Sequence, residues 1–162
     1  MSSGFDLVMF GFRVRPPSPA ECDLARHLFG DSLDLAHLKI VRNPAWNRAF
    51  VAGPNLIIWP AGQFQPCFAT APLALRALLV HELVHVWQAQ KGINLILGKL
   101  RAGDGPEAYL YRLEEDVRFE ALNIEQQAMV VEHAYRLSQG GAAPYGIADY
   151  ARLAGPATPR LG

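Results

Sequence analysis

The chain has 162 residues, 51% apolar and 19% charged, a composition that excludes a disordered segment and allows a buried core. Its 15 Lys and Arg cancel its 15 Asp and Glu, so no net field recruits nucleic acid or an anionic membrane. The expected organisation is one α+β domain over residues 1–162, with a core at about 15–140 and loose tails at both ends.

In chain order, the apolar run Leu7–Phe12 is too short for a membrane span, and neither a basic region precedes it nor a small-residue cleavage site follows. No signal peptide is read, which predicts a cytoplasmic protein in the producing cell. Pro16-Pro17-Ser18-Pro19 breaks the chain, and Ser18 caps a helix expected over Ala20–Phe29 and stopped by Gly30. Cys22 and Cys67 form neither a disulfide framework nor a Cys-x-x-Cys site and read as small core residues. Leu38–Val41 predicts a strand ending at Asn43-Pro44. Ala49–Pro60 predicts two strands broken at Gly53-Pro54-Asn55, of which Leu56–Trp59 has the composition of a buried strand.

A helix is expected from Pro72, with Thr70 as its cap and Lys91-Gly92 as its stop. Within it His81-Glu82-Leu83-Val84-His85 places three polar groups in an apolar run, where unpaired charge costs several kcal/mol. Residues i and i+4 share a helix face, so both imidazoles can address one ion about 2 Å from each ring nitrogen. Glu82 lies about 100° round the helix from His81, near the ion without ligating it. A carboxylate there can take a proton from a zinc-bound water and pass it to a leaving amine, the H-E-x-x-H arrangement of zinc metallopeptidases. The metzincin extension is excluded, because its glycine and histidine positions hold Gln88 and Lys91.

An irregular segment with Gly98, Gly103 and Gly105-Pro106 follows, then Tyr109–Tyr111 as a short strand. The last long helix is capped by the pair Asn123 and Gln126, repeats Ile124, Ala128, Val131 and Tyr135 at helical spacing, and stops at Gly140-Gly141. A short turn at 147–153 and a loose tail complete the chain. A catalytic zinc needs a third protein ligand, and Glu120, Glu125, Glu132 and His133 are the candidates. Periodicity does not choose between them.

The stretch His-Glu-Leu-Val-His-Val-Trp-Gln at 81–88 and the stretch Asn-Ile-Glu-Gln-Gln-Ala-Met-Val-Val at 123–131 resemble the Vgr-related zincin-like proteins. These include metallopeptidase domains at the C-terminus of some VgrG spike proteins of type VI secretion systems. The pieces Arg-Pro, Pro-Ala-Glu and Leu-Phe-Gly between Arg15 and Gly30 are similar too, so the resemblance covers roughly 15–137. It departs at Glu114-Glu115-Asp116, where the pattern has a Gly/Pro turn. The resemblance implies a zincin-like fold with a small sheet packed on the H-E-x-x-H helix and a second long helix. It further implies Zn2+ held by His81, His85 and Glu125, with Glu82 as general base. A toxin or effector is implied, acting on a protein or peptide and delivered into a target cell or its periplasm, with spike and immunity proteins as partners.

Asn55–Trp59 is the expected substrate-binding edge strand, and Tyr109, Tyr111, Tyr135, Tyr145 and His133 are the expected oxyanion donors. Trp87 is expected to pack behind the metal helix. Two other readings use the same motif: a zinc-stabilised binding module of a secretion spike, and a zinc amidase acting on cell wall.

Overall fold

The computed structural model describes residues 11–103, 105–153 and 159–160. Most of the Leu7–Phe12 run and most of the expected C-terminal tail lie outside them.

Four strands form one sheet: β1 (Arg13–Arg15), β2 (Lys39–Asn43), β3 (Phe50–Val51) and β4 (Leu56–Pro60), in the order β1-β2-β4-β3. β2 and β4 run parallel, while β1 and β3 flank them antiparallel. The chain reaches the outer edge first, as β3, and turns back so that β4 fills the place beside β2. Leu56-Ile57-Ile58-Trp59 is apolar on both faces because it is an interior strand, with Ile57 and Trp59 fully buried. The expected edge strand is therefore misplaced by one strand. The edge strand on this side of the sheet is β3.

Helix α1 (Pro19–Phe29) starts in a capping box: the Ser18 side chain accepts from Glu21 N–H, and Glu21 Oε2 accepts from Ser18 N–H. Gly30 ends it at φ 55. Helix α2 (Leu73–Gln90) carries the H-E-x-x-H stretch, and residues 79–88 are buried without a break. A helix buried all round has neighbours on several sides, here the sheet on one and α4 (Ile124–Ser138) on another. Pro72, not Thr70, caps α2; Thr70 sits in the preceding 3-10 turn with its hydroxyl donating to the Cys67 carbonyl. Asn123 and Gln126 form the capping box of α4 as expected.

Elements after α2 differ from expectation. The segment with Gly98 is an eight-residue helix, α3 (Leu95–Ala102), capped by Asn94. Gly98 lets it approach α4 closely, since a Cβ there would stand 2.7 Å from Ile124 Cδ1. Tyr109–Tyr111 is not a strand: Pro106–Tyr109 is a 3-10 turn and the chain then runs extended without pairing. A short α5 (Ile147–Arg152) packs on α4. Cys22 and Cys67 are free and half-buried, with Cys67 Sγ 3.1 Å from Ser18 Oγ. The architecture is α+β, a small mixed sheet with helices, and among the described residues no helix is long and apolar enough to cross a membrane.

Candidate metal centre

α2 and α4 pack side by side, so the buried face of each supplies half of one polar cluster. His81 and His85 come from successive turns of α2, and Glu125 from the first turn of α4. Their ligand atoms form a triangle. His81 Nε2 lies 3.2 Å from His85 Nε2 and 3.4 Å from Glu125 Oε2, and His85 Nε2 lies 3.2 Å from Glu125 Oε2. Zinc bonds of about 2.0–2.1 Å at tetrahedral angles hold donors about 3.3–3.4 Å apart, so the triangle has the dimensions of one tetrahedral face.

Hydrogen bonding shows which atoms face the centre. Gln127 donates through Nε2 to the Phe119 and Leu122 carbonyls, so its Oε1 is left to accept from Gln88 Nε2 at 2.9 Å. Gln88 Nε2 also donates to the Ile124 carbonyl, leaving Gln88 Oε1 to accept from His85 Nδ1 at 2.8 Å. Backbone carbonyls only accept, so the direction of this relay is forced back to His85. The imidazole donates at Nδ1 and turns its Nε2 lone pair to the cluster. His81 Nδ1 faces the Glu132 carboxylate at 3.1 Å, which leaves its Nε2 turned inward as well. Three acceptors thus converge on one point among buried residues. Left unpaired, that arrangement costs several kcal/mol. The donor set fits a metal cation, and nitrogen and carboxylate donors in this geometry suit zinc.

The same negative surroundings draw a proton to His81 when no cation competes for it. Burial works against a proton on His81, but the Glu125 and Glu132 carboxylates outweigh it and raise the pKa to about 9. Burial would raise the Glu125 pKa; its close contacts with His81 and His85 and the charge of Lys99 bring it well below the usual carboxylate range. Both carboxylates of the α4 face are used one oxygen at a time. Glu125 Oε1 lies 3.5 Å from Lys99 Nζ, and Glu132 Oε1 accepts from Arg136 Nη2 at 2.7 Å.

A cleft of about 360 Å³ opens on the cluster, walled by Ala49 beside the β3 edge and by Arg48, Lys99 and Tyr109. Glu82 is 4% exposed and lines this cleft, and its Oε2 has no hydrogen-bond partner among the described residues. Tyr109 stacks near His81, with ring centroids 6.5 Å apart, and its hydroxyl receives Arg48 Nη2 at 3.5 Å.

Of the four candidate third ligands, Glu125 joins the two histidines. Glu120 is exposed on the Phe119–Ala121 turn, and His133 faces away, bonded at Nδ1 to the Tyr111 hydroxyl. Glu132 reaches the far nitrogen of His81. Among the expected oxyanion donors only Tyr109 lines the cleft; Tyr111 bonds Tyr150, and Tyr135 is core. Trp87 packs between Phe29 and Phe119 and donates to Ser32 Oγ, behind the H-E-x-x-H helix as expected. Gln88 and Glu132 were not assigned these partnerships from sequence. Gln88 carried a signal, three residues after His85 on the same face, while Glu132 needed the α2–α4 register.

No family model matches the chain. It is similar to the type VI secretion system spike protein VgrG2b of Pseudomonas aeruginosa, 31% identical over 129 aligned residues, covering 72% of this chain and 12% of that protein. The chain thus spans about one-eighth of that relative's length. Its structure is similar to the effector domain of Pseudomonas aeruginosa VgrG2b, with a TM-score of 0.66 and 28% identity over 85% of this chain and 79% of that one. Sequence and fold therefore agree on homology to a type VI secretion effector domain.

Proposed function

We propose that the protein is a zinc-dependent peptidase acting as a secreted effector, with His81, His85 and Glu125 holding the metal and Glu82 as the base. The observation that carries this reading is the inward-facing triangle of three donors beside an open cleft lined by Glu82, whose Oε2 has no partner among the described residues. When bound, zinc polarises a scissile carbonyl and acidifies a water. Glu82 accepts the proton from the attacking water and returns it to the departing amine, a role that requires a carboxylate oxygen free of other partners. Tyr109, placed by Arg48, offers its hydroxyl to the carbonyl oxygen as charge develops there. The edge strand β3, with Ala49 and Phe50 along the cleft system, accepts an extended polypeptide.

A closed structural zinc site takes four protein donors, whereas this group brings three among the described residues, which favours catalysis over a purely structural module. Similarity to an effector domain supports delivery by a spike-like carrier into a target cell. The purified protein should hold about one zinc per chain. Glu82→Ala should keep that zinc while cleavage and toxicity fall by about 10²–10⁴-fold. Undiminished toxicity in that variant, or cleavage of cell-wall amides in place of polypeptide, would overturn the assignment.

A further inference from the structure

The two histidines of the cluster are held at their outer nitrogens by partners of different charge. His85 Nδ1 meets the neutral amide of Gln88, locked by Gln127 and two backbone carbonyls behind it. His81 Nδ1 meets Glu132 Oε2 at 3.1 Å, and the other oxygen of Glu132 accepts twice from Arg136, Nη2 at 2.7 Å and Nε at 3.0 Å. Arg136 thereby reserves Oε1 and leaves Oε2 for the histidine. Glu132 is 6% exposed, and the Arg136 guanidinium is the charged partner of its Oε1. Its carboxylate is therefore an anion and an acceptor.

From this geometry we infer that Glu132, braced by Arg136, is the positioning residue of the site: it holds the proton of His81 on Nδ1 and makes His81 the stronger of the two histidine donors. The inference rests on the zinc reading above but concerns a residue outside the triangle of ligand atoms. Partial negative charge passed through an Nδ1–H···carboxylate bond raises the basicity of Nε2, and the bond also fixes the ring plane. A neutral amide does the second but not the first. Seven residues separate Glu125 from Glu132, two helical turns, so one face of α4 carries both the acid that closes the triangle and the acid that aims its neighbour.

The test is zinc affinity, measured by competition with a chromophoric chelator in wild type, Glu132→Gln, Glu132→Ala and Glu125→Ala. Loss of the outer acceptor is expected to weaken zinc binding by about 10–100-fold in Glu132→Ala. Glu132→Gln should fall between it and wild type, since the amide oxygen still accepts from Nδ1 without the charge. The cobalt-substituted Glu132 variants should show a shifted visible spectrum, a change that a purely structural role would not produce. Thermal unfolding of the metal-free variants shows whether each has folded, and Glu132→Gln keeps the shape should Glu132→Ala fail. Unchanged affinity and spectrum in folded variants would overturn the inference. So would a loss in Glu132→Ala as complete as in Glu125→Ala, because Glu132 would then be a ligand. Absence of zinc binding by wild type is a separate result and removes the zinc reading itself.

Discussion

Two buried carboxylates of this protein sit in opposite circumstances. Glu21, 2% exposed, is enclosed by donors of its own chain: Arg15 binds it through both terminal nitrogens at 2.7 and 2.8 Å, and the Phe68 and Ser18 amides bind it at 2.7 Å each. Among the described residues Glu125, 3% exposed, has only Lys99 as an obligate donor, and its second oxygen faces two imidazole nitrogens that already have outer partners. Burial is the same; satisfaction is not. A buried charge that the chain neutralises is architecture, joining β1, α1 and the Phe68–Thr70 turn. A buried charge that meets two imidazole nitrogens able to act as acceptors can share a cation with them.

The comparison breaks most sharply on metal content. Glu125→Ala should reduce zinc from about one per chain to a trace by elemental analysis, while Glu21→Ala should leave it unchanged. Equal zinc in both variants would show that the triangle is not the site. Stability reverses the order. Glu21→Ala strands Arg15 in the interior and should lower the unfolding free energy by about 3–5 kcal/mol in chemical denaturation. Zinc removal should matter less: chelation of a sample held at about 100-fold excess over the dissociation constant should lower stability by about 2.7 kcal/mol. Because the two clusters share no partner, the two losses should add within about 0.5 kcal/mol in chelated Glu21→Ala protein.

The pH limb sharpens the contrast at the structural cluster. Burial raises the Glu21 pKa, but the Arg15, Phe68 and Ser18 hydrogen bonds outweigh it, and the folded value lies below the ordinary 4.5. The stability this supplies is fully present above 4.5 and is lost as pH falls through the folded value. Metal-free wild type should therefore show a steeper acid limb than Glu21→Gln in denaturation curves between neutrality and pH ~3. The smallest effect belongs to the joint between helices. Gly98→Ala should cost about 1–3 kcal/mol by pressing on Ile124, and should weaken zinc less than any substitution in the triangle.

What sequence could disclose divides along the range of the forces involved. Both long helices, their stops and the Asn123 cap were legible because capping and 3.6-residue periodicity act within a few residues. His81, Glu82 and His85 stood out because an apolar helix tolerates such groups only with a partner. β1 escaped notice: Arg13-Val14-Arg15 has no apolar pattern and is a strand only because β2 pairs with it. α3 read as irregular because Gly98 interrupts it and because Ile96 and Leu100 are exposed, at 76% and 73%. Glu125 and Glu132 share a helix face, so no periodicity could tell the ligand candidate from the residue behind the histidine. The departure at Glu114-Glu115-Asp116 falls in an exposed turn, away from the cleft walls.

The contact between α2 and α4 also sets an order in time. His85 and Glu125 are 40 residues apart, so a chain leaving the ribosome displays both histidines well before the acid that closes the triangle has been made. Until α4 is synthesised and docked, the nascent protein carries a metal-binding motif with no third donor and no cleft. The candidate site is therefore assembled only with the completed fold.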